Sequence, residues 1–170
     1  AYNANKIRVE FKLARNTSGG SARLFTFADA SNRFYEIMHE QEKTAKKDIE
    51  KLASNLGLKK MKDKVEQIRT LENFMKTSIN NKSDNEKPSI GSMLKKNYGS
   101  MDQITSLYIL MFEYLEIPHE LVVTNSRMDA KIDPDFDTCS LLNDYLIYFP
   151  FSGKYLDPIN YLYRYGMVPF

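Results

Sequence analysis

The sequence predicts an α+β domain, with helices packed on a small antiparallel sheet, and three observations lead to this fold class. Residues 101–116 place apolar side chains at helical spacing along one face, which no polar residue interrupts. Short apolar runs bounded by turn residues follow this helix and are typical of strands, at 119–124, 144–149 and 154–157. The chain has 170 residues, of which 42% are hydrophobic, so it can bury the core of one domain.

The first 28 residues are predicted to form strands. Apolar residues at positions 7, 9, 11 and 13 alternate with charged ones, as in a half-buried strand, and the polar segment 16–20 is a predicted turn. Because an isolated hairpin is only marginally stable in water, we interpret residues 1–28 as the end of an upstream β domain and residues 29–170 as a second domain. We therefore expect the chain to be a piece of a longer protein.

Two further helices are predicted before the long one. The first spans about 31–56, with Gly57 just past its end, although its first ten residues also fit a strand. The second spans about 62–80 and begins at Asp63. The polar segment 81–92 contains Pro and Gly and is predicted to be a loop.

The composition excludes several classes of function. The formal net charge is only +2, and the lysines between 43 and 64 are interleaved with acidic residues, so no nucleic-acid surface is predicted. No apolar run approaches the roughly 20 residues that cross a bilayer. Cys139 is the only cysteine, which rules out an internal disulfide and a cysteine-based metal site. We predict no cofactor and no metal ion, and the sequence predicts no oligomeric state.

The start of the long helix has the features of a nucleophile position. Ser100 and Gln103 have the spacing of a capping box, which places Met101 at the first helical position. Free N–H groups and the helix dipole favour an anion there, and they would lower the pKa of a thiol. The thioether of Met101 cannot ionise, so the position lacks a reactive atom.

Three segments resemble the motifs of the bacterial transglutaminase-like superfamily, which has a papain-like core. In that family a (K/N)YG-x-C-x-D motif carries the nucleophile, an F-N-H motif the histidine, and a G-K-x-Y-x-L-D-P motif the acid. The corresponding residues here are NYGSMDQ at 97–103, LND at 142–144 and GKYLDP at 153–158. The resemblance covers residues 94–169. It implies a transglutaminase-like domain over 29–170 of a large exported bacterial protein.

The departures from these motifs imply a non-catalytic domain. Met101 stands at the position of the family's cysteine and Asp144 at that of its histidine, whereas Asp157 keeps the family's acid. Attack by cysteine on an amide needs a thiolate and an imidazole, so the family mechanism is lost. We expect a binding or scaffolding role, for a peptide, glycan or protein partner, in a cleft lined by Tyr98, Met101, Asp144 and Tyr155. The resemblance implies a location in the envelope of a Gram-negative bacterium, periplasmic or otherwise exported.

Two other functions remain open from the sequence. Asp144 and Asp157 are expected on the same side of adjacent strands, converging with Met101 at the helix start. Such a carboxylate pair could make the domain a hydrolase, with or without a metal ion helped by aspartates 129, 133, 135 and 137. The simpler interpretation, which we favour, is that Asp144 offsets the positive end of the helix. The domain could also be a structural spacer.

Other reactive residue types have simpler explanations than catalysis. Cys139 lies in a polar loop without a histidine, His39 and His119 are expected at packing or surface positions, and Ser100 is expected to cap its helix.

Overall fold

The computed structural model describes residues 26–82, 89–126, 132–133, 135 and 142–168. These residues form helices and small sheets, which confirms the α+β class. The predicted strands within residues 1–25 lie outside the described residues.

The contacts divide the chain into two compact units. Residues 1–36, 123–144 and 170 belong to the first unit, and residues 37–122 and 145–169 to the second.

The described residues contain five α-helices and five short strands. The helices are α1 Phe27–His39, α2 Glu42–Asn55, α3 Lys64–Ser78, α4 Ile90–Lys96 and α5 Met101–Tyr114. The strands are β1 Asn80–Asn81, β2 Tyr98–Gly99, β3 Glu120–Thr124, β4 Asp144–Phe149 and β5 Lys154–Leu156. A single 3₁₀ turn, Leu58–Lys60, follows α2. Among these helices, none is both long enough and apolar enough to cross a membrane.

The single helix predicted over 31–56 is wrong, because the structure has two helices with a break between them. At the break, the side-chain oxygen Oε1 of Gln41 accepts a hydrogen bond from the backbone N–H of Ile90 at 2.7 Å. Gln41 directly precedes α2, and its bond to Ile90 fixes its side chain at the break. The sequence pattern continues through the break because each of the two helices has apolar residues at helical spacing.

α1 begins four residues earlier than predicted. The backbone N–H of Asp29 donates to Thr26 Oγ1 at 3.2 Å, and the N–H of Thr26 donates to Asp29 Oδ2 at 2.8 Å. This reciprocal arrangement satisfies two N–H groups at the helix start. Residues 27 and 28, predicted to end the strand region, are therefore helical.

The residues predicted to end α2 and to begin α3 are confirmed. Gly57 lies just past α2 with a φ of 66°, a conformation that glycine adopts without steric cost. Asp63 caps α3, since its side chain accepts from the backbone N–H of Val65 at 3.1 Å. Ile68, Leu71 and Met75 form the buried face of α3.

α4 was not predicted, and its first residues lie in the segment assigned to a loop. Ser89 caps it, and Ile90 and Met93 are almost completely buried. Seven residues are too few for a clear helical period, so packing decides this helix. After α4, β2 pairs in parallel with β1, and a Cβ on Gly99 would lie 2.4 Å from Met93 Sδ. A larger residue at position 99 would therefore require the buried Met93 side chain to move.

α5 is the central element of the second unit, as predicted. Every residue from 103 to 112 is buried, so the helix is covered on all sides rather than on one face. The Phe112 ring lies 5.2 Å from the Phe149 ring of β4, edge to face, and α2 packs along α5.

The described strands include a three-stranded sheet in the order β3-β4-β5. β4 and β5 are antiparallel, with Tyr148 opposite Tyr155, and the predicted turn contains Gly153 at a φ of 65°. Burial alternates along β4, with Tyr145, Ile147 and Phe149 buried. The predicted strands at 119–124, 144–149 and 154–157 are confirmed within one residue at each end.

The hydroxyl of Tyr108 is fully buried on α5 and has no hydrogen-bond partner among the residues that the structure describes. Burial, followed by the nearby Glu72 carboxylate, raises the pKa of this phenol well above its usual value. An unpaired buried polar group costs about 1–3 kcal/mol. We therefore expect Tyr108→Phe to raise the free energy of unfolding by about 1 kcal/mol, measured by urea denaturation. A loss of stability in this variant would mean that the hydroxyl is bonded in solution, for example to a buried water molecule.

Candidate functional site

The candidate site is the start of α5, where the predicted capping box is confirmed. The backbone N–H of Gln103 donates to Ser100 Oγ at 3.4 Å, and that of Ser100 donates to Gln103 Oε1 at 2.9 Å. Met101 is the first helical residue and is half-buried. The N–H groups of the first turn that the capping box does not use favour an electron-rich atom at this position.

Tyr145 of β4 contacts the start of α5, which the sequence analysis did not predict. Its hydroxyl donates a hydrogen bond to Asp102 Oδ1 at 2.9 Å. Burial, and then the Asp102 carboxylate, raise the pKa of Tyr145 well above its usual range, so the phenol stays protonated as the donor. The bond fixes the beginning of β4 against the beginning of α5. The alternation along β4 was the available signal, since it places Tyr145 on the apolar face with Ile147.

The two tyrosines of the predicted cleft lie in different strands. Tyr98 is a half-buried residue of β2, and the ammonium groups of Lys82 and Lys96 lie 5.3 and 5.8 Å from its ring centroid. Tyr155 is the central residue of β5, and its ring lies 4.9 Å from that of Tyr148 across the strand pair. Both rings are partly accessible to solvent.

Asp157 is buried directly after β5 and holds the following turn. Its Oδ1 accepts two backbone hydrogen bonds, from Ile159 and Asn160, each at 2.8 Å. One oxygen of the carboxylate is thus engaged by the chain itself, a structural role that the sequence analysis did not consider. These two hydrogen bonds stabilise the turn that follows β5.

Asp144 is the first residue of β4, is exposed, and belongs to the first unit. The convergence of Met101, Asp144 and Asp157 therefore stays a prediction. Of the four aspartates suggested as helpers, Asp133 accepts a hydrogen bond from the backbone N–H of Asp135 at 2.9 Å. The others, at positions 129 and 137, lie outside the described residues.

Both histidines make contacts within the fold. His39 Nε2 lies 2.8 Å from Glu113 Oε1, which joins the end of α1 to α5. His119 Nδ1 lies 2.8 Å from the carbonyl oxygen of Ile117, and its ring packs on Phe112. Cys139 lies outside the described residues.

A small cavity of about 40 Å³ with a mixed polar and apolar lining lies beside the start of α5. It is lined by Ile37, Glu40, Gln41, Ile90, Ser100, Asp102, Gln103 and Ser106. This volume holds a few water molecules and no larger ligand. Within the described ranges, no three His, Cys, Asp or Glu residues are grouped so that they could hold a metal ion.

A buried ion pair on α3 holds the segment that follows β5, and it was also missed. Lys76 Nζ lies 2.8 Å from Glu72 Oε1, and the exposed fractions of the two side chains are 1% and 3%. Glu72 Oε1 also accepts from the backbone N–H of Tyr165 at 2.9 Å, and Lys76 donates to the carbonyl oxygen of Tyr163. The i,i+4 spacing was visible in the sequence, but burial was not.

No protein-family model matches this chain, and neither a curated protein sequence nor a solved structure is significantly similar to it.

Proposed function

We propose that this chain contains a non-catalytic transglutaminase-like domain that acts in binding or scaffolding, with a peptide, glycan or protein partner, in the envelope of a Gram-negative bacterium. One observation carries the proposal: a methionine occupies the first position of α5, in a helix start built by a complete capping box. The helix start favours a thiolate at this position, and the thioether of Met101 cannot supply one. The Tyr145–Asp102 hydrogen bond, which joins β4 to this helix start, also supports a retained scaffold.

The hydrolase alternative has less support. Two backbone N–H groups already use Asp157 Oδ1, which leaves the carboxylate less free to act as a base or a metal ligand. The amide variants Asp144→Asn and Asp157→Asn test this alternative. Under the binding proposal, neither the wild type nor these variants hydrolyse peptide amides or esters above the rate in buffer. A wild-type rate that Asp144→Asn abolishes would establish the hydrolase.

The helix start is tested by placing a thiol in it. In a Cys139→Ser background, we expect the thiol of Met101→Cys to have a pKa below about 7.5, because of the helix start. The pKa is measured from the rate of iodoacetamide labelling against pH.

The matched control is Lys47→Cys, at an exposed position inside α2. Its thiol should have a pKa of about 8.5. Equal pKa values for the two thiols would contradict the assignment of Met101 to a nucleophile position.

Ligand binding is tested by NMR titration with panels of peptides and peptidoglycan fragments. We expect shifts at Tyr98, Met101, Asp144 and Tyr155, and a weaker affinity for the variant Tyr98→Ala. Tyr161→Ala is the control, since Tyr161 is 66% exposed and lies outside the proposed cleft. Equal losses in the two variants would refute this location.

A further inference from the structure

A second surface of the molecule has the size of a ligand site. A groove of about 370 Å³ lies between the first half of α2 and the end of α5. Small-molecule sites commonly occupy about 300–1,000 Å³ and combine apolar walls with a few polar groups. The groove is lined by Glu42, Lys43, Lys46, Ile49, Leu110, Glu113 and Tyr114. None of these residues belongs to the cleft of the proposed function.

The walls of the groove are apolar. Ile49 and Leu110 are 5% and 3% exposed and belong to the core between the two helices. Tyr114 adds an aromatic ring, which Lys59 Nζ covers at 4.0 Å from the centroid. Ile49 and Leu110 thus form a nearly closed floor, and an aliphatic chain lying on this floor would bury apolar area mainly against the half-buried Tyr114.

Two lysines and two glutamates line the groove, so their formal charges balance, and the surroundings of each group decide which charge is available to a ligand. The Glu113 carboxylate is already hydrogen-bonded by His39 at 2.8 Å. Glu42 lies in the first turn of α2, where the helix dipole offsets a negative charge. Lys43 and Lys46, by contrast, have no carboxylate partner in the described part of the chain.

We propose that this groove binds a small amphipathic carboxylate, with the acyl chain against Ile49, Leu110 and Tyr114 and the carboxylate at Lys43 and Lys46. The two lysines are three residues apart on one helix, so both ammonium groups reach the same end of a ligand. The site is independent of the proposed function, because the two share no residue.

Octanoate is the probe, titrated into the ¹⁵N-labelled protein and followed by NMR. We expect saturable shifts at Ile49, Leu110 and Tyr114 with a Kd tighter than about 1 mM. Acetate, which lacks the acyl chain, and octyltrimethylammonium, which has the opposite charge, should bind at least about tenfold more weakly, a difference of about 1.4 kcal/mol. Equal affinity for the cationic probe, or no saturable shift with octanoate, overturns the proposal.

The variant pair Lys43→Glu/Lys46→Glu should weaken octanoate binding at least about tenfold. The matched control is Lys47→Glu/Lys51→Glu, which makes the same charge change at exposed positions of α2 that do not line the groove. Equal losses in the two pairs would show that only the overall charge matters and overturn the site. If octanoate shifted only the NMR signals of Tyr98, Met101 and Tyr155, the groove would also be refuted as its site, and the proposed function would stand.

Discussion

Leu107→Asp is expected to unfold most of the protein. Leu107 is completely buried at the centre of α5, where a carboxylate would be removed from water. We expect the free energy of unfolding to fall by about 4 kcal/mol or more, which is a large part of the stability of an ordinary domain. Urea denaturation followed by circular dichroism measures the loss.

Two variants separate burial from charge in this experiment. Leu107→Ala removes the side chain without adding a charge and should cost about 2–5 kcal/mol. Lys51→Asp places the same carboxylate on an exposed position of α2 and should cost less than about 1 kcal/mol. A Leu107→Asp protein as stable as Lys51→Asp would show that α5 is peripheral, contrary to the structure.

Lys76→Met is expected to have the second largest effect. It leaves the Glu72 carboxylate buried without its cation, and breaking a buried pair from one side costs about 3–5 kcal/mol. The carbonyl oxygen of Tyr163 loses its hydrogen bond from Lys76, which loosens the segment that Glu72 still holds at Tyr165, so hydrogen exchange should quicken at the N–H groups of Tyr165 and Gly166.

The double variant Glu72→Gln/Lys76→Met should recover much of this loss, because no charge is then left buried. The matched control is Arg33→Met, which breaks an exposed Arg33–Glu36 pair and should cost less than about 1 kcal/mol. Equal costs for Lys76→Met and Arg33→Met would mean that water reaches the Glu72 carboxylate in solution.

The candidate site was only partly predictable from the sequence. The capping box at Ser100 and Gln103 is a local signal, because its partners are three residues apart, and it located the start of α5 correctly. The contact of Tyr145 with Asp102 joins residues 43 positions apart, and no local pattern specifies such a pair. The resemblance predicts Asp157 as the acid of the family's motif. Its hydrogen bonds to the following turn depend on the folded backbone, and no sequence motif indicated them.

The sequence alone determined the features that depend on neighbouring residues along the chain. These are the cap of α3 at Asp63, the turn at Gly153, the strands β3 to β5 and the long apolar helix α5. The tertiary structure decided the break between α1 and α2, where Gln41 bonds to Ile90, and the existence of α4. It also decided that Glu72 and Lys76 are a buried pair rather than a solvated one. The physical reason is that burial and long-range hydrogen bonds depend on which elements pack together, whereas caps, turns and periodicity are set within a few residues.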